Sequence, residues 1–292
     1  MAVELTQNAH VAPLPGGRGF GALTRPPAVL IAPAALFLTA FFVVPLALVA
    51  WTSVSEPQLG FGNFRDFFTS GYDVAVLLRT LRTAAIVTVC SLLVAYPLAY
   101  VAARSSGFLG QALLAVVALS FWTSFLVRTY AWMVILGVKG PIAALAVAFG
   151  APPPRLLFTT FAATLAMTHM LAPFMVLTLY AAMKRIEEVT MRAAASLGAR
   201  PLRAFLAVYL PQSVPGIVSG STLVFITSLG FYVTPQLIGS PQDKMIAGRI
   251  GQEIDQLLDF GAASATSLIL LATAVALFVV YNRFFGLERI WR

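Results

Sequence analysis

Residues 184–212 read KRIEEVTMRAAASLGARPLRAFLAVYLPQ, a charged stretch set between two long apolar runs at 157–183 and 214–238. Glu187 and Glu188 open a helical pattern, and Ala193, Ala194 and Ala195 favour it. Gly198 supplies a helix stop. Pro201 suits the first turn of a second helix. Leu202, Phe205, Leu206 and Tyr209 then recur at helical spacing, and Pro211 is expected to end that run. The stretch is therefore predicted to be a helix, a glycine turn and a second helix, with a small, flat first face. Such an element fits a groove on another protein. The alternative is an amphipathic helix lying on lipid.

Moving outward, the whole chain is apolar. Its 292 residues are 59% hydrophobic and only 10% charged, with mean hydropathy +0.88. Soluble domains carry about a quarter charged residues, so a water-exposed globule and intrinsic disorder are both excluded. Six apolar runs, near 28–54, 81–103, 109–138, 157–183, 214–238 and 261–285, are each long enough to span a bilayer. Alternating apolar and polar residues are absent, which argues against a β-barrel. The expected fold is an all-α integral membrane protein of six transmembrane helices, occupying 28–292. Residues 1–27, rich in Pro and Gly, read as a flexible tail. The apolar run that follows begins too late and is too long for a signal peptide.

The net charge of +8 does not point to nucleic acid, because the basic residues cluster in loops and tails. Arg18, Arg25, Arg104, Lys184, Arg185, Arg192, Arg200, Arg203, Arg283, Arg289 and Arg292 fall on one side of the expected topology. The other side holds fewer, Arg65, Lys139, Arg155, Lys244 and Arg249, and collects acids such as Glu56, Asp73, Asp243, Glu253 and Asp255. That asymmetry predicts both termini in the cytoplasm and the 184–212 loop beside them. Within the spans, Gly216 and Gly220 form a small-residue pair that permits close helix approach. Pro45, Pro97 and Pro173 are expected to kink their helices.

Catalytic chemistry has little to stand on. Lys139, Lys184 and Lys244 each follow a residue other than glycine, so no phosphate-binding P-loop exists. Cys90 is alone, and His10 and His169 are too few and too distant for a metal cluster. His169 is expected to satisfy its hydrogen bonds inside a helix bundle. The sequence thus gives a non-catalytic chain with no cofactor or metal of its own.

The run Ala193-Ala194, Gly198, then Val208-Tyr209-Leu210-Pro211 resembles the "EAA" loop of ABC importer permeases. One departure is that Arg192 stands where the family has glutamate, with Glu188 one helical turn earlier. Phe121–Gly137, Tyr96-Pro97-Leu98-Ala99-Tyr100 and Phe231-Tyr232-Val233-Thr234-Pro235 are similar to the spermidine/putrescine branch of that family. The resemblance implies a type I importer permease of the bacterial inner membrane. It implies a second homologous permease, two ATPase subunits that carry ATP and Mg, and an extracytoplasmic binding protein. The loop would then be the coupling helix, with Glu187, Glu188, Arg192, Ala193, Ala194, Gly198, Leu210 and Pro211 facing the ATPase. The rival, a secondary transporter or channel, predicts inverted repeats and leaves the loop unexplained.

Arg128 is the one clear charge deep in a predicted span, which makes it a candidate for a functional site; the alternative is that it snorkels or pairs with backbone carbonyls near the outer leaflet. With Trp132, Phe231, Tyr232 and Thr234 it is expected to line the substrate path. Aromatic faces suit cations, whereas Arg128 suits an anionic group. Polyamines, opines and aminophosphonates therefore all remain open as substrates.

Overall fold

The computed structural model describes residues 27–105 and 107–285. The tail to residue 26, with His10, Arg18 and Arg25, and the C-terminal Arg289 and Arg292 lie outside them. Among the described residues the chain is helical throughout, with no strand. By contact it divides after Leu48 into a short N-terminal unit and a main unit from Val49.

At the start of the described residues, α1 (Pro27–Leu38) passes through a π turn, Thr39–Val43, into α2 (Val44–Ser55). The Val44 amide bonds to the Thr39 carbonyl, five residues back. Pro45 follows directly. A proline ring clashes with the carbonyl four residues before it, and the wider π turn relieves that crowding.

The main unit is built around α4 (Gly71–Arg104), α8 (Thr160–Met183) and α11 (Leu210–Leu229). Their shared core joins alanines of α4, such as Ala95 and Ala99, to Met167, Leu171, Met175 and Leu179 of α8 and Val224 of α11. Small residues set the spacing. A Cβ built on Gly216 would lie 2.5 Å from the Ala182 Cβ, and one on Gly220 2.7 Å from the Met175 sulfur. The expected close approach is therefore realised between α11 and α8. Pro97 and Pro173 stay inside uninterrupted helices.

At 34 residues α4 is about 50 Å long, well beyond a bilayer core of about 30 Å. Its overhang is tied by polar contacts to α13 (Ile246–Asp255). Arg249 Nε donates to Asp73 Oδ1 at 2.9 Å and lies 3.2 Å from Glu253 Oε1. The Ile246 amide donates to Thr80 Oγ1 at 2.8 Å. Burial pushes the Glu253 carboxyl above its ordinary pKa, while Arg249 and the neighbouring Thr266 hydroxyl pull it down. α3 (Gly62–Thr69) and α14 (Phe260–Phe285) pack beside this end.

Five helical stretches are long and apolar enough to cross a membrane: Ile31–Ser55, Gly71–Arg104, Phe125–Ala148, Thr160–Met183 and Phe260–Arg283. The expected count of six is not confirmed: the third run is rearranged, and the fifth is not among the five. The single span expected at 109–138 is broken into α5 (Phe108–Trp122) and α6 (Phe125–Leu136), and α7 (Pro141–Ala148) extends the apolar stretch. The break falls at Thr123, whose backbone is extended and whose hydroxyl bonds back to the Ser120 carbonyl at 2.8 Å. Ser and Thr compete for backbone partners in this way and favour helix ends. The run expected at 214–238 is α11 followed, after a turn, by α12 (Val233–Ile238). The Ser, Thr, Gln and Pro content of α11 keeps its hydropathy low, yet Ser213, Gly216, Val218, Gly220 and Val224 are buried against its neighbours.

Candidate functional site

Two places carry the functional side chains. The first is the 184–212 loop. α9 (Glu188–Ser196) begins after an extended Glu187. It ends at Gly198, whose φ is +80°. The Ala199 amide bonds to the Ala194 carbonyl at 3.0 Å and the Gly198 amide to that of Ala195 at 2.9 Å. This pair of bonds is a Schellman stop, and it needs the left-handed backbone that glycine adopts freely. Arg200 is extended and Pro201 opens α10 (Pro201–Ala204) at its first turn.

The expectation that Pro211 ends the second helix is corrected. α10 passes through a π turn, Phe205–Tyr209, straight into α11, which carries Pro211 in its first turn. The Leu210 amide reaches back to the Phe205 carbonyl, and this widened turn accommodates the proline as the one before Pro45 does.

Ile186, Met191, Ala194, Phe205 and Tyr209 face the bundle, while Val189, Leu197, Leu202 and Leu206 lie open. Phe205 and Tyr209 seat the loop on the end of α4. The Tyr100 ring stands edge-on to both, at 5.6 and 5.0 Å, and Phe205 stacks on Tyr209 at 5.6 Å. The Arg104 guanidinium lies 4.7 Å from the Tyr209 ring centre. The Tyr96 hydroxyl shares a 2.9 Å hydrogen bond with Ser213 of α11. The loop is thus joined to α4 and α11 through packed rings and the Tyr96–Ser213 hydrogen bond. Arg192 and Glu188 form a 2.7 Å pair on the open face of α9.

The second place is the break between α5 and α6. Phe121, Ser124, Phe125, Arg128 and Phe174 line a cavity of about 410 Å³ there. The Arg128 guanidinium stacks 4.7 Å from the Phe125 ring centre. No acidic side chain pairs with it among the described residues. Phe125 meets Phe231 edge-on at 5.5 Å. One turn further along α6, Trp132 Nε1 donates to His169 Nδ1 at 3.3 Å. His169 was expected inside the bundle. It is exposed instead, and the Trp132 bond holds it at the surface of α8.

Of the five residues expected along the substrate path, Arg128, Trp132 and Phe231 border this region. Thr234 is buried and makes its hydrogen bonds internally, to Thr129 at 3.2 Å and to the Met170 sulfur at 3.4 Å. Tyr232 turns away and lines a separate pocket with Gln236 and α13. Phe174 was not singled out from sequence, since it is remote in the chain from Arg128, while Phe121 was read only as the start of Phe121–Gly137 and His169 only as a bundle residue. Among the described residues no three of His, Cys, Asp and Glu gather as metal ligands would.

Residues 95–287, more than half of the chain, match the family described as the binding-protein-dependent transport system inner membrane component. The chain belongs to that family. The permease is 32% identical over 224 residues to the spermidine/putrescine transport system permease protein PotB of Haemophilus influenzae, covering 75% of this chain and 78% of the relative. It is 33% identical over 235 residues to the molybdenum transport system permease protein ModB of Mycobacterium bovis, covering 80% and 86%. Its fold matches a bacterial ABC transporter involved in the import of the acidic polysaccharide alginate, with TM-score 0.70 at 18% identity over 90% of this chain and 95% of that one. The permease is thus an inner-membrane transport subunit and not a catalyst. Its membership makes the departure at Arg192 a local question. Turning the exposed Arg192–Glu188 attraction into a like-charge repulsion would cost α9 no more than about 1 kcal/mol. Arg192→Glu is therefore expected to leave the fold intact and to bring no gain in substrate-stimulated ATP hydrolysis. A clear gain would show that Arg192 is a tolerated defect.

Proposed function

We propose that the permease is one of two homologous membrane subunits of an ATP-driven importer, with six membrane passages, both termini in the cytoplasm and polyamines as substrate. α11 and α12 would supply the passage that apolarity alone does not reveal. In this reading residues 28–292 form the permease domain, with residues 1–27 as its cytoplasmic tail. A binding protein on the outer side delivers spermidine or putrescine, and two ATPases that bind ATP and Mg meet the loop from the cytoplasm. The observation that carries the reading is the α9 unit itself: a short helix, stopped by Gly198, with open apolar side chains and an aromatic seat on α4. It has the form of a lever that a partner protein can push. Glu187, Glu188, Arg192 and Ala193 present its outer surface, Ala194 packs its inner face against the bundle, and Leu210 and Pro211 lie where the lever joins α11. ATP closes the ATPases, α9 follows, and the bundle opens toward the loaded binding protein.

Support for a polyamine comes from the PotB relatives and from the aromatic side chains of Trp132 and Phe231 beside the Arg128 cleft. A second reading, a small organic ion with an acidic group such as an opine or an aminophosphonate, is favoured by one observation, the unpaired Arg128. The test is reconstitution of the permease with its partner permease, ATPases and binding protein in proteoliposomes. Labelled spermidine uptake that requires ATP and the binding protein is expected. Uptake of 2-aminoethylphosphonate with none of spermidine would replace the polyamine by the second reading. ATP-independent uptake by the permease alone would overturn the importer reading.

A further inference from the structure

The pocket that takes Tyr232 is distinct from the Arg128 cleft. It holds about 160 Å³ and is lined by Tyr232, Gln236, Lys244, Met245 and one face of α13. That face presents Gly248, Gly251, Gln252 and Asp255, followed by Gln256. The opposite face of α13 is the one fastened to α4 through Arg249, Asp73 and Thr80. The helix is therefore held from behind while its front borders open space.

The position in the fold is informative. The Thr160 hydroxyl, at the start of α8, donates to Asp243 Oδ1 at 2.8 Å, just before Lys244. α9 follows the far end of the same 24-residue helix. The pocket thus lies at the end of the bundle opposite the loop, the side on which substrate arrives in the proposed reading. It also adjoins the path, because Phe231 reaches Phe125 in the cleft while the next residue, Tyr232, faces the pocket.

Its chemistry is that of an ammonium site. Among the described residues the Asp255 carboxylate has neither an ion-pair nor a hydrogen-bond partner. Gln236, Gln252 and Gln256 add amide oxygens, which accept N–H bonds. The Tyr232 ring offers a face to a cation. Gln252, Asp255 and Gln256 sit at the C-terminal turn of α13, where the helix carries partial negative charge. Gly248 and Gly251 leave the wall bare: a Cβ on Gly251 would meet nothing within 4 Å. Lys244 is the one basic residue on the rim, exposed and unpaired with Asp255.

We infer that this pocket is an outer subsite that receives a primary ammonium group of the substrate on its way from the binding protein to the Arg128 cleft, with Asp255 as its counter-charge. The inference rests on the reading of the permease as an importer of an amino-bearing substrate. That chemistry is common to a polyamine and to an aminophosphonate, and Lys244 separates the two. It repels the second ammonium of a polyamine and attracts the acidic group of an aminophosphonate.

The test uses the assembled transporter with saturating loaded binding protein, and rates are normalised to assembled complex. Asp255→Asn is expected to lower the maximal uptake rate about fivefold, the scale of one ordinary hydrogen bond at an exposed site. Asp255→Glu is expected to recover most of it. Gly251→Leu, whose Cβ would meet nothing within 4 Å and whose side chain would occupy the pocket, is expected to match Asp255→Asn. It keeps the question answerable if the asparagine variant fails to assemble. Lys244→Ala is expected to speed spermidine uptake or slow 2-aminoethylphosphonate uptake, according to which one the wild type carries. Wild-type uptake by both Asp255→Asn and Gly251→Leu would overturn the subsite and leave the importer reading standing. A wild-type transporter that imports neither probe would overturn both.

Discussion

Gly198→Val is expected to reach the membrane at normal levels and to lose at least nine-tenths of ATP-driven uptake. The cause is backbone, not crowding. At φ +80° a Cβ at this position would meet nothing within 4 Å. A β-branched residue cannot hold that left-handed conformation without a cost of about 1–3 kcal/mol. α9 relieves the strain by giving up its Schellman bonds, from Ala199 to Ala194 and from Gly198 to Ala195. The helix then leaves at a different angle from its seat on Tyr100, Phe205 and Tyr209. The core of α4, α8 and α11 is untouched, so insertion survives. Gly198→Asn should retain most activity, since asparagine tolerates left-handed backbone. Uptake in proteoliposomes, set against permease content, separates coupling from folding. Wild-type uptake by the valine variant would remove α9 as the lever.

How far this was readable beforehand depended on the range over which each signal acts. The stop at Gly198 and the start at Pro201 are local rules, and both held. Pro211 is also a local signal, and it misled. A proline read by itself breaks a helix, but the π turn before it is a property of the whole segment. The gap at Thr123–Ser124 was hidden by composition. Phe121, Trp122, Phe125 and Leu126 keep the run apolar across a break that two hydroxyl residues make. Arg128 stood out as a charge within a span, yet its setting is long-range: Phe174 comes from α8, and Phe231, packed on Phe125, from the turn before α12. Tyr232 shows the limit most sharply. It was grouped with Phe231 because the end of that run concentrates polar and aromatic residues, yet the turn sends Phe231 to Phe125 and Tyr232 to the α13 pocket. Residues 239–259 read only as a polar loop. The front of α13, with Asp255 beside two bare glycines, exists only once Arg249 has fixed the rotation of that helix against Asp73.

The largest expected effects on substrate choice come from Arg128→Ala and Trp132→Ala. Arg128 lies in a membrane span with no acid beside it, and an unpaired cation there is costly unless it serves a ligand or reaches water. Its guanidinium rests on Phe125 at the edge of the cavity, which leaves its donors free to meet a carboxylate or phosphonate. If the substrate carries such a group, Arg128→Ala strands it in a low-dielectric path. Uptake should then fall by about a hundredfold or more, the scale of a lost charge-assisted contact. If the substrate is a polyamine, the same change removes a repelling charge and should leave uptake unchanged or raise it. Trp132→Ala acts on either substrate. It deletes a ring that can pack on an alkyl stem or face a cation, and it frees His169 from its 3.3 Å hydrogen bond. Loss by about tenfold is expected with both probes. The contrast between the two variants therefore reports on the cleft and the substrate together. A fall with Trp132→Ala alone speaks for a polyamine, and a fall with both speaks for an acidic group. Wild-type uptake of spermidine and of 2-aminoethylphosphonate by both variants would mean that the substrate does not pass through this cleft.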